Sequence, residues 1–517
     1  MAEAKILWAD DEIDLLKPHI LFLEEKGYEV HPVNSGDEAI EKCEEQNYDM
    51  IFLDENMPGL SGLETLEKIK GKNAHIPVIM ITKSEEEHLM EDAIGSQITD
   101  YLIKPLNPKQ ILLSIKKQLD NKRLVSEKIT TGYQQDFRNL SMKVNEDLDW
   151  QGWIDVYRKL IYWELELEKS DDDSMQEVLA DQKKEANTNF SRYVANNYLD
   201  WLYNPESGPL MSHKLFYKKV LPQLEADDRP VFFIVIDNLR YDQWKVLEPF
   251  FSELFNIEKE EAYYSILPTA TNYSRNAIFS GMLPLQIEQN FPDLWVNDEE
   301  QGGKNLHEKD FLESYLKRLK KDIKLNYNKV TKLQAGKELV DNVHNFFNND
   351  LNVVIYNFID FLSHMRTEME VIKELAEDEP AYRSITRSWF EHSPLYEMLQ
   401  EIAEKDARVI LTTDHGTVRV QDPSKVIGDR NTTTNLRYKH GRNLNYQKKD
   451  VLAIRKPEDA FLPRPHVNSS FIFAKEDLYF VYPNNYNYYV NFFKNTFQHG
   501  GISLEEMVIP FVSMTSK

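Results

Sequence analysis

VFFIVIDNLR, residues 231–240, sets six apolar residues in unbroken succession before Asp237. A surface strand alternates polar and apolar side chains, whereas a run with no polar face belongs to a strand covered on both sides, as in the parallel sheets of α/β folds. Similar runs occur in LNVVIYNFID (351–360) and ARVILTTD (407–414), so Asp237, Asp360 and Asp414 each stand at the end of one. Open α/β sheets gather functional groups beyond the carboxyl ends of their strands. The pattern therefore predicts three aspartates facing one crevice. SSFIFAKED (469–477) and EEMVIPFVS (505–513) are expected to complete the same large α/β domain, residues 226–517.

Four more side chains of metal-binding type lie in this half: Thr271 in PTATNYSRNAIFSGMLP (268–284), His364 in NFIDFLSH, His415 in TTDHGT and His499 in FQHGGIS. Zinc prefers imidazole nitrogen and carboxylate oxygen. Two such ions about 4 Å apart can activate a nucleophile and clamp the oxygens of a phosphorus centre. The expected arrangement is two triads, Asp360, His364 and His499 for one ion and Asp237, Asp414 and His415 for the other, with the Thr271 oxygen as its fourth ligand. A free threonine hydroxyl is a poor nucleophile, and coordination lowers its pKa. Attack would form a phosphothreonine that water then releases.

The set resembles the alkaline phosphatase superfamily. The spacing from Thr271 to Gly281 and Pro284 is similar to that of its nucleotide pyrophosphatase/phosphodiesterase branch, and the DxxxH at Asp360, the DHG at Asp414 and HGGISLEEMVIPF from His499 resemble the PglZ group. The resemblance implies a zinc-dependent phosphodiesterase with a metal-activated threonine. No residue can be assigned to grip the extra charge of a phosphate monoester, so a diester is the expected substrate. Arg275, Arg437, Lys439, His440 and Arg442 are candidate substrate contacts; RYKHGRN (437–443) reads equally as a solvated loop.

The first 120 residues carry a second acidic constellation. Apolar runs KILWAD, YEVHPV, DMIFLD, IPVIMI and DYLIKP alternate with helical stretches, a five-stranded parallel pattern. Asp10 and Asp11, Asp54, Thr82 and Lys104 fall at the ends of four of these runs. Converging carboxylates call for a hard cation such as Mg²⁺, and a phosphoryl group at Asp54 would be held by that ion, the Thr82 hydroxyl and the Lys104 ammonium. With LDENMPGLSGLE (53–64) and the Lys104-Pro105 pair, the segment resembles a CheY-like receiver of flavodoxin-like fold. The resemblance implies phosphorylation at Asp54, Mg²⁺ binding by Asp11, Asp54 and the Asn56 carbonyl with support from Asp10, and a switch made of Thr82, Tyr101 and Lys104.

Between these modules, residues 121–225 read as a helical bundle linker, with Leu140, Val144 and Leu148, then Trp153, Val156, Tyr157, Leu160 and Ile161, on helical stripes. Asp171 to Asp173 before Ser174 read as a solvated turn, and NPESGPLMSH (204–213) as the exit from the bundle. The 517 residues suggest about three domains. The N-terminus lacks the pattern of a signal peptide and no apolar run reaches about 20 residues, so a cytoplasmic protein without membrane insertion is expected. The single cysteine, Cys43, reads as a buried small side chain, and a net charge of −25 argues against duplex DNA binding.

The combined layout resembles the response regulators that pair a receiver with a PglZ domain. It implies a sensor histidine kinase as partner, a phosphorylation-dependent homodimer formed through the receiver, a cyclic or linear oligonucleotide as substrate, and control of type IX secretion through a sigma factor or secretion component; the surface around residues 84–119, beside Thr82 and Tyr101, is where the receivers are expected to pair. The competing expectation is a signalling adaptor whose metal-stabilised, non-catalytic PglZ domain docks such a partner.

Overall fold

A computed structural model describes residues 4–73, 76–83, 98–170, 173–298, 300, 303–376, 378–429 and 432–517. The chain divides into two compact units, Met1–Gly132 and Tyr133–Lys517. The first holds one parallel sheet of β1 (Lys5–Ala9), β2 (Glu29–Val33), β3 (Met50–Asp54), β4 (Val78–Thr82) and β5 (Asp100–Ile103), in the order β2-β1-β3-β4-β5. Successive strand side chains point to opposite faces, so Ile6, Trp8, Phe52 and Ile79 join one apolar layer while Leu7, Leu53, Val78 and Met80 join the other. Burial on both faces is what the unbroken apolar runs encode. Of the segment expected to pair receivers, residues 84–97 lie outside the described residues.

The second unit is built on a six-stranded sheet. Its centre is β6 (Val231–Ile236), flanked in parallel by β9 (Leu351–Tyr356) and β10 (Arg408–Thr412). β8 (Leu325–Val330) continues the parallel side at one edge. At the other, the C-terminal strand Val508–Ser516 runs antiparallel to both β10 and β7 (Phe255–Tyr264). Every residue of β6, β9 and β10 is buried. The edge strands FNIEKEEAYY and LNYNKV are largely half-exposed or exposed, which explains why they carry no apolar run.

SSFIFA differs from expectation. Strand Ser469–Ala474 lies outside the main sheet, at the centre of a three-stranded antiparallel sheet between Tyr438–Arg442 and Val451–Ile454. RYKHGRN is accordingly no solvated loop, because Tyr438, Lys439, His440 and Gly441 are buried in that sheet.

The expected middle is helical. Helix Pro108–Val144 begins in the first unit and ends in the second, followed by Trp150–Leu167 and Asp173–Tyr203. Asp149 caps the second of these by accepting from Gly152 N. Trp153, Val156, Tyr157, Leu160 and Ile161 are buried as the stripe requires. The helices pack on the α/β domain: Arg158 donates to the Glu260 carbonyl at 3.0 Å and the Tyr264 hydroxyl to the Trp150 carbonyl at 2.9 Å. Asp171 and Asp172 of the acidic turn lie outside the described residues.

Candidate active site and phosphoacceptor pocket

Each aspartate of the C-terminal unit follows the strand that predicted it. Asp237 leaves β6 with its N–H bonded to the Tyr356 carbonyl at 2.8 Å. Asn238 then takes a left-handed φ of 65°, a conformation asparagine tolerates, and turns the chain away from the sheet. Asp360 and His364 project from one face of helix Phe358–Glu368 after β9, and Asp414 and His415 follow β10. Thr271 opens helix Thr271–Ser280, which ends at Gly281 with φ 65°; a Cβ there would lie 2.1 Å from the Tyr315 ring. A helix N-terminus favours an approaching anion.

The side chains converge. One ligand atom from each of Asp360, His364 and His499 lies within 4.8 Å of the others, and the same holds for Asp237, Asp414 and His415. Thr271 Oγ1 is 3.3 Å from Asp237 Oδ1 and 3.1 Å from His415 Nε2. The His415 and His499 rings stack at 4.3 Å between centroids, which brings the two groups side by side. The sites open onto a cleft of about 460 Å³ lined also by Asn272, Asp298, Lys304, Asn357, Asn435 and Tyr438.

Hydrogen bonding fixes which ring nitrogens face inward. His499 Nδ1 lies 3.1 Å from the Thr269 carbonyl and His415 Nδ1 3.1 Å from the Gly416 carbonyl. A carbonyl can only accept, so each Nδ1 carries the proton and each Nε2 lone pair is left toward the carboxylates. Burial holds both imidazoles below their usual pKa, His499 the more strongly because His415 lies beside it. They are neutral donors, as metal ligands must be.

The carboxylates are crowded. Burial and the charge of Asp237 push Asp360 up to about 6, and the same two causes carry Asp414 well above the carboxylate range. Burial acts on Asp237 too, but the charge and hydrogen bond of Arg275, 2.7 Å from its Oδ2, act against it and hold its pKa down. Asp414 Oδ2 is buried without a hydrogen-bond partner. Imidazole nitrogens, carboxylate oxygens and an unsatisfied acceptor form a donor set that fits divalent cations.

The five candidate substrate contacts are placed differently. Arg275 is fully buried, with its guanidinium committed to Asp237 and Glu308. Arg437 is equally buried, bonded to Glu506 and to the Glu476 and Leu478 carbonyls. Lys439 donates to the Thr433 carbonyl at 2.9 Å beneath the Tyr482 ring, His440 stacks on Phe471, and Arg442 pairs with Asp429. None is among the residues lining the cleft. Lys304 is the cleft's one lysine or arginine among the described residues, and its ammonium is tied to the Asn297 and Glu300 carbonyls.

Sequence reading missed Thr269, whose hydroxyl donates to the Gly501 carbonyl at 2.9 Å and accepts from Gly500 N at 3.0 Å, so it stitches the Thr271 and His499 loops together. It also missed Asp298, which accepts from Asn272, Tyr273 and Tyr438 within 2.9 Å. Thr269 and Asn272 flank Thr271 in PTATN, the one local hint; Asp298 has none.

In the first unit, carboxylate oxygens of Asp10, Asp11 and Asp54 lie within 4.8 Å of one another. Lys104 Nζ bridges Asp10 Oδ2 and Asp54 Oδ1 at 2.9 Å each. Burial raises the Asp54 pKa, with the Lys104 hydrogen bond pulling the other way. For Lys104, burial opposes the charge, but its bonds to Asp10 and Asp54 outweigh it and its pKa rises. Asp54 Oδ2 is buried without a hydrogen-bond partner. Three carboxylates against one ammonium leave a pocket suited to Mg²⁺. Thr82 is buried at the end of β4, Tyr101 on β5 is 40% exposed, and Asn56 is exposed two residues after Asp54.

Comparison with known proteins agrees with both halves. The model of the BREX system PglZ alkaline phosphatase-like domain matches residues 215–514, the PorX response regulator linker domain matches 123–202, and the response regulator receiver domain matches 6–116. The transcriptional regulatory protein ResD of Bacillus subtilis is 38% identical over 117 residues, 23% of this chain and 48% of ResD. SrrA of Staphylococcus aureus is 32% identical over 115 residues, 22% of this chain and 47% of SrrA. The chain thus spans about half the length of these curated relatives. The chemotaxis protein CheY4 of Vibrio cholerae is 31% identical, covering 23% of this chain and 99% of CheY4, with a TM-score of 0.21.

Receiver, helical middle and a phosphatase-like crevice define a response regulator with an alkaline-phosphatase-like output domain. The chain belongs to the PglZ alkaline phosphatase-like family. Its order of receiver, linker and PglZ domain is the PorX-type architecture. Among the described residues no helix is long and apolar enough to cross a membrane.

Proposed function

We propose that this response regulator is a zinc-dependent phosphodiesterase acting on cyclic or linear oligonucleotides, switched by phosphorylation of Asp54 and acting in the control of type IX secretion. The observation that carries the reading is the position of Thr271, whose oxygen lies within 3.3 Å of both Asp237 and His415 while the second ligand group lines the same cleft. Asp237, Asp414 and His415 would hold one zinc ion together with Thr271, and Asp360, His364 and His499 the other. Bound there, the ions supply the positive charge that lowers the threonine pKa and stabilises the phosphoryl oxygens.

The Thr271 oxygen, with loss of its proton, attacks phosphorus. The ester bond opposite breaks, and the leaving alcohol departs with a proton from solvent. Water then attacks the phosphothreonine from the opposite side, restoring the hydroxyl and releasing a phosphate monoester. Thr269 keeps the two loops in register and the His499 and His415 carbonyl contacts keep their Nε2 atoms inward. A cleft whose lysine is already committed favours a diester, which carries one charge at phosphorus.

In the receiver, Mg²⁺ would be held by Asp11, Asp54 and the Asn56 carbonyl beside Asp10, with Thr82, Tyr101 and Lys104 as the switch; a sensor histidine kinase would supply the phosphoryl group and the modified receivers would pair. A sigma factor or secretion component would receive the signal. Thr271→Val keeps volume and loses the oxygen. The zinc-loaded variant is expected to lose turnover of bis-p-nitrophenyl phosphate and of short oligonucleotides by at least about 10³-fold. Surviving turnover would refute the nucleophile, and a zinc-loaded wild type without turnover would leave the domain a docking module.

A further inference from the structure

Helix Asp173–Tyr203 carries three polar side chains at spacings of four and seven residues, Asn187, Ser191 and Tyr198, which share one face. All three are buried, at 8%, 0% and 2% exposure. Buried polar groups need partners, and these find most of theirs on the two segments that carry Thr271 and His499, Ser191 Oγ also accepting from Glu476 N at 3.2 Å. The Tyr198 hydroxyl accepts from Leu267 N at 2.8 Å, four residues before Thr271. Ser191 Oγ donates to the Ile502 carbonyl at 3.1 Å, three residues after His499. Asn187 Oδ1 accepts from Leu504 N at 2.8 Å while its Nδ2 donates to Glu505 at 2.9 Å.

Between these anchor points Thr269 joins the loops to each other and to His499. The contacts therefore close a circuit: helix, Leu267, Thr269, His499, Ile502, and the same helix again. On another side of the helix, Gln182 accepts from the Tyr133 hydroxyl at 3.1 Å and donates to the Ser141 hydroxyl at 2.7 Å, on the helix through which the chain leaves the first unit.

We infer that Asn187, Ser191 and Tyr198 are positioning residues: they set the nucleophile loop against the His499 loop, and the helix that carries them is the element through which a change elsewhere in the chain alters turnover. The inference rests on the phosphodiesterase reading for its rate effect, but not for its structural effect. A rigid helix gripping both loops moves them together. A misplacement of about 1 Å at reacting groups costs on the order of a hundredfold in rate.

The test uses the full chain with zinc, comparing wild type, Tyr198→Phe, Ser191→Ala and, as a control on the same helix, the exposed Asn196→Ala. Tyr198→Phe removes a single oxygen. Expected for both loop-facing variants are a kcat for bis-p-nitrophenyl phosphate reduced about tenfold to a hundredfold with KM within about twofold, and amide exchange in residues 265–271 and 500–505 faster by about tenfold. Melting should stay within about 3 °C of wild type, and Asn196→Ala should match wild type throughout. Unchanged exchange in those two segments overturns the inference, as does a lower melting temperature with kcat intact, which would make the contacts structural only. If zinc-loaded wild type itself hydrolyses nothing, the phosphodiesterase reading falls, and exchange together with zinc affinity measured by chelator competition still decides for or against positioning.

Discussion

Glu164→Gln should lower the stability of the second unit by on the order of 3 kcal/mol at pH 7, and the gap should shrink in acid. Glu164 sits on helix Trp150–Leu167 with its side chain 13% exposed, 2.6 Å from Lys183 and 3.0 Å from Arg383 of helix Glu379–Glu391. Burial opposes its charge, but Lys183 and Arg383 outweigh that and hold its pKa at about 2 against a usual 4.5. At 1.36 kcal/mol per unit, the difference corresponds to roughly 3 kcal/mol in favour of the folded state. A depressed carboxylate pKa gives stability that is present in full above about 4.5 and is lost as pH falls through about 2. By pH 4 roughly a quarter of it should be gone. Urea unfolding followed by fluorescence of Trp153 and Trp163, on the same helix, reads the gap at pH 7 and pH 4. Lys184→Met, which breaks a pair with Asp422 in which both side chains are more than half exposed, serves as control and should cost under about 0.5 kcal/mol. A gap below about 1 kcal/mol at pH 7, or one that widens on acidification, would refute the reasoning.

Three further outcomes follow from the same physics. Burial pulls Lys439 down to about 7, so the folded chain resists its charge and wild-type stability climbs between about pH 7 and 10.5; Lys439→Met should melt higher than wild type at pH 6, with the advantage shrinking as pH rises and gone near pH 10.5, and a variant that melts lower at every pH contradicts this. Chelation should lower the melting temperature of the second unit, zinc at 100 times its Kd should restore about 2.7 kcal/mol, and Asp360→Asn should reduce zinc from two per chain to one by elemental analysis; a variant that retains both ions refutes the ligand. Lys104→Met leaves Asp10 and Asp54 facing each other without the ammonium, so the first unit should lose about 2 kcal/mol without Mg²⁺ and regain most of it with millimolar Mg²⁺, as melting curves with and without the ion would show.

The central strands were legible because VFFIVI, LNVVIY and RVILT are buried on both faces, a constraint that leaves no polar residue in most of each run. FNIEKEEAYY and LNYNKV were not, because an edge strand needs only a partner on one side and tolerates charge on the exposed face. The ligand-type residues could be picked out because few side chains bind metal and each of the aspartates follows a strand. Arg275 shows the converse limit: a basic residue beside the nucleophile reads as a substrate contact until burial shows that Asp237 and Glu308 already claim it. Asn187, Ser191 and Tyr198 left no trace in the sequence, since a neutral side chain that bonds to distant backbone has neither a charge nor a partner residue type to give it away.

The buried charges beneath the crevice bear on substrate choice. Formally, Asp237, Asp360, Asp414 and Glu308 contribute four negative charges, and Arg275 and Lys329, which pairs with Glu308 at 2.9 Å, contribute two positive ones. The protein alone would thus present a net charge of minus two to any phosphate, Asp298 and Lys304 on the wall of the cleft formally cancelling. Under the proposed reading two divalent ions turn this deficit into an excess of two, enough to seat one diester phosphate and hold the additional charge that develops in the transition state. A monoester dianion would consume that excess on binding, and the cleft has no uncommitted lysine or arginine among its described residues to replace it. Arg275 is then best understood as the cation that lets Asp237 remain ionised in a fully buried position, so that the carboxylate nearest Thr271 is available to a metal at neutral pH. On the proposed reading, a preference for diesters and the burial of Arg275 follow from one charge balance.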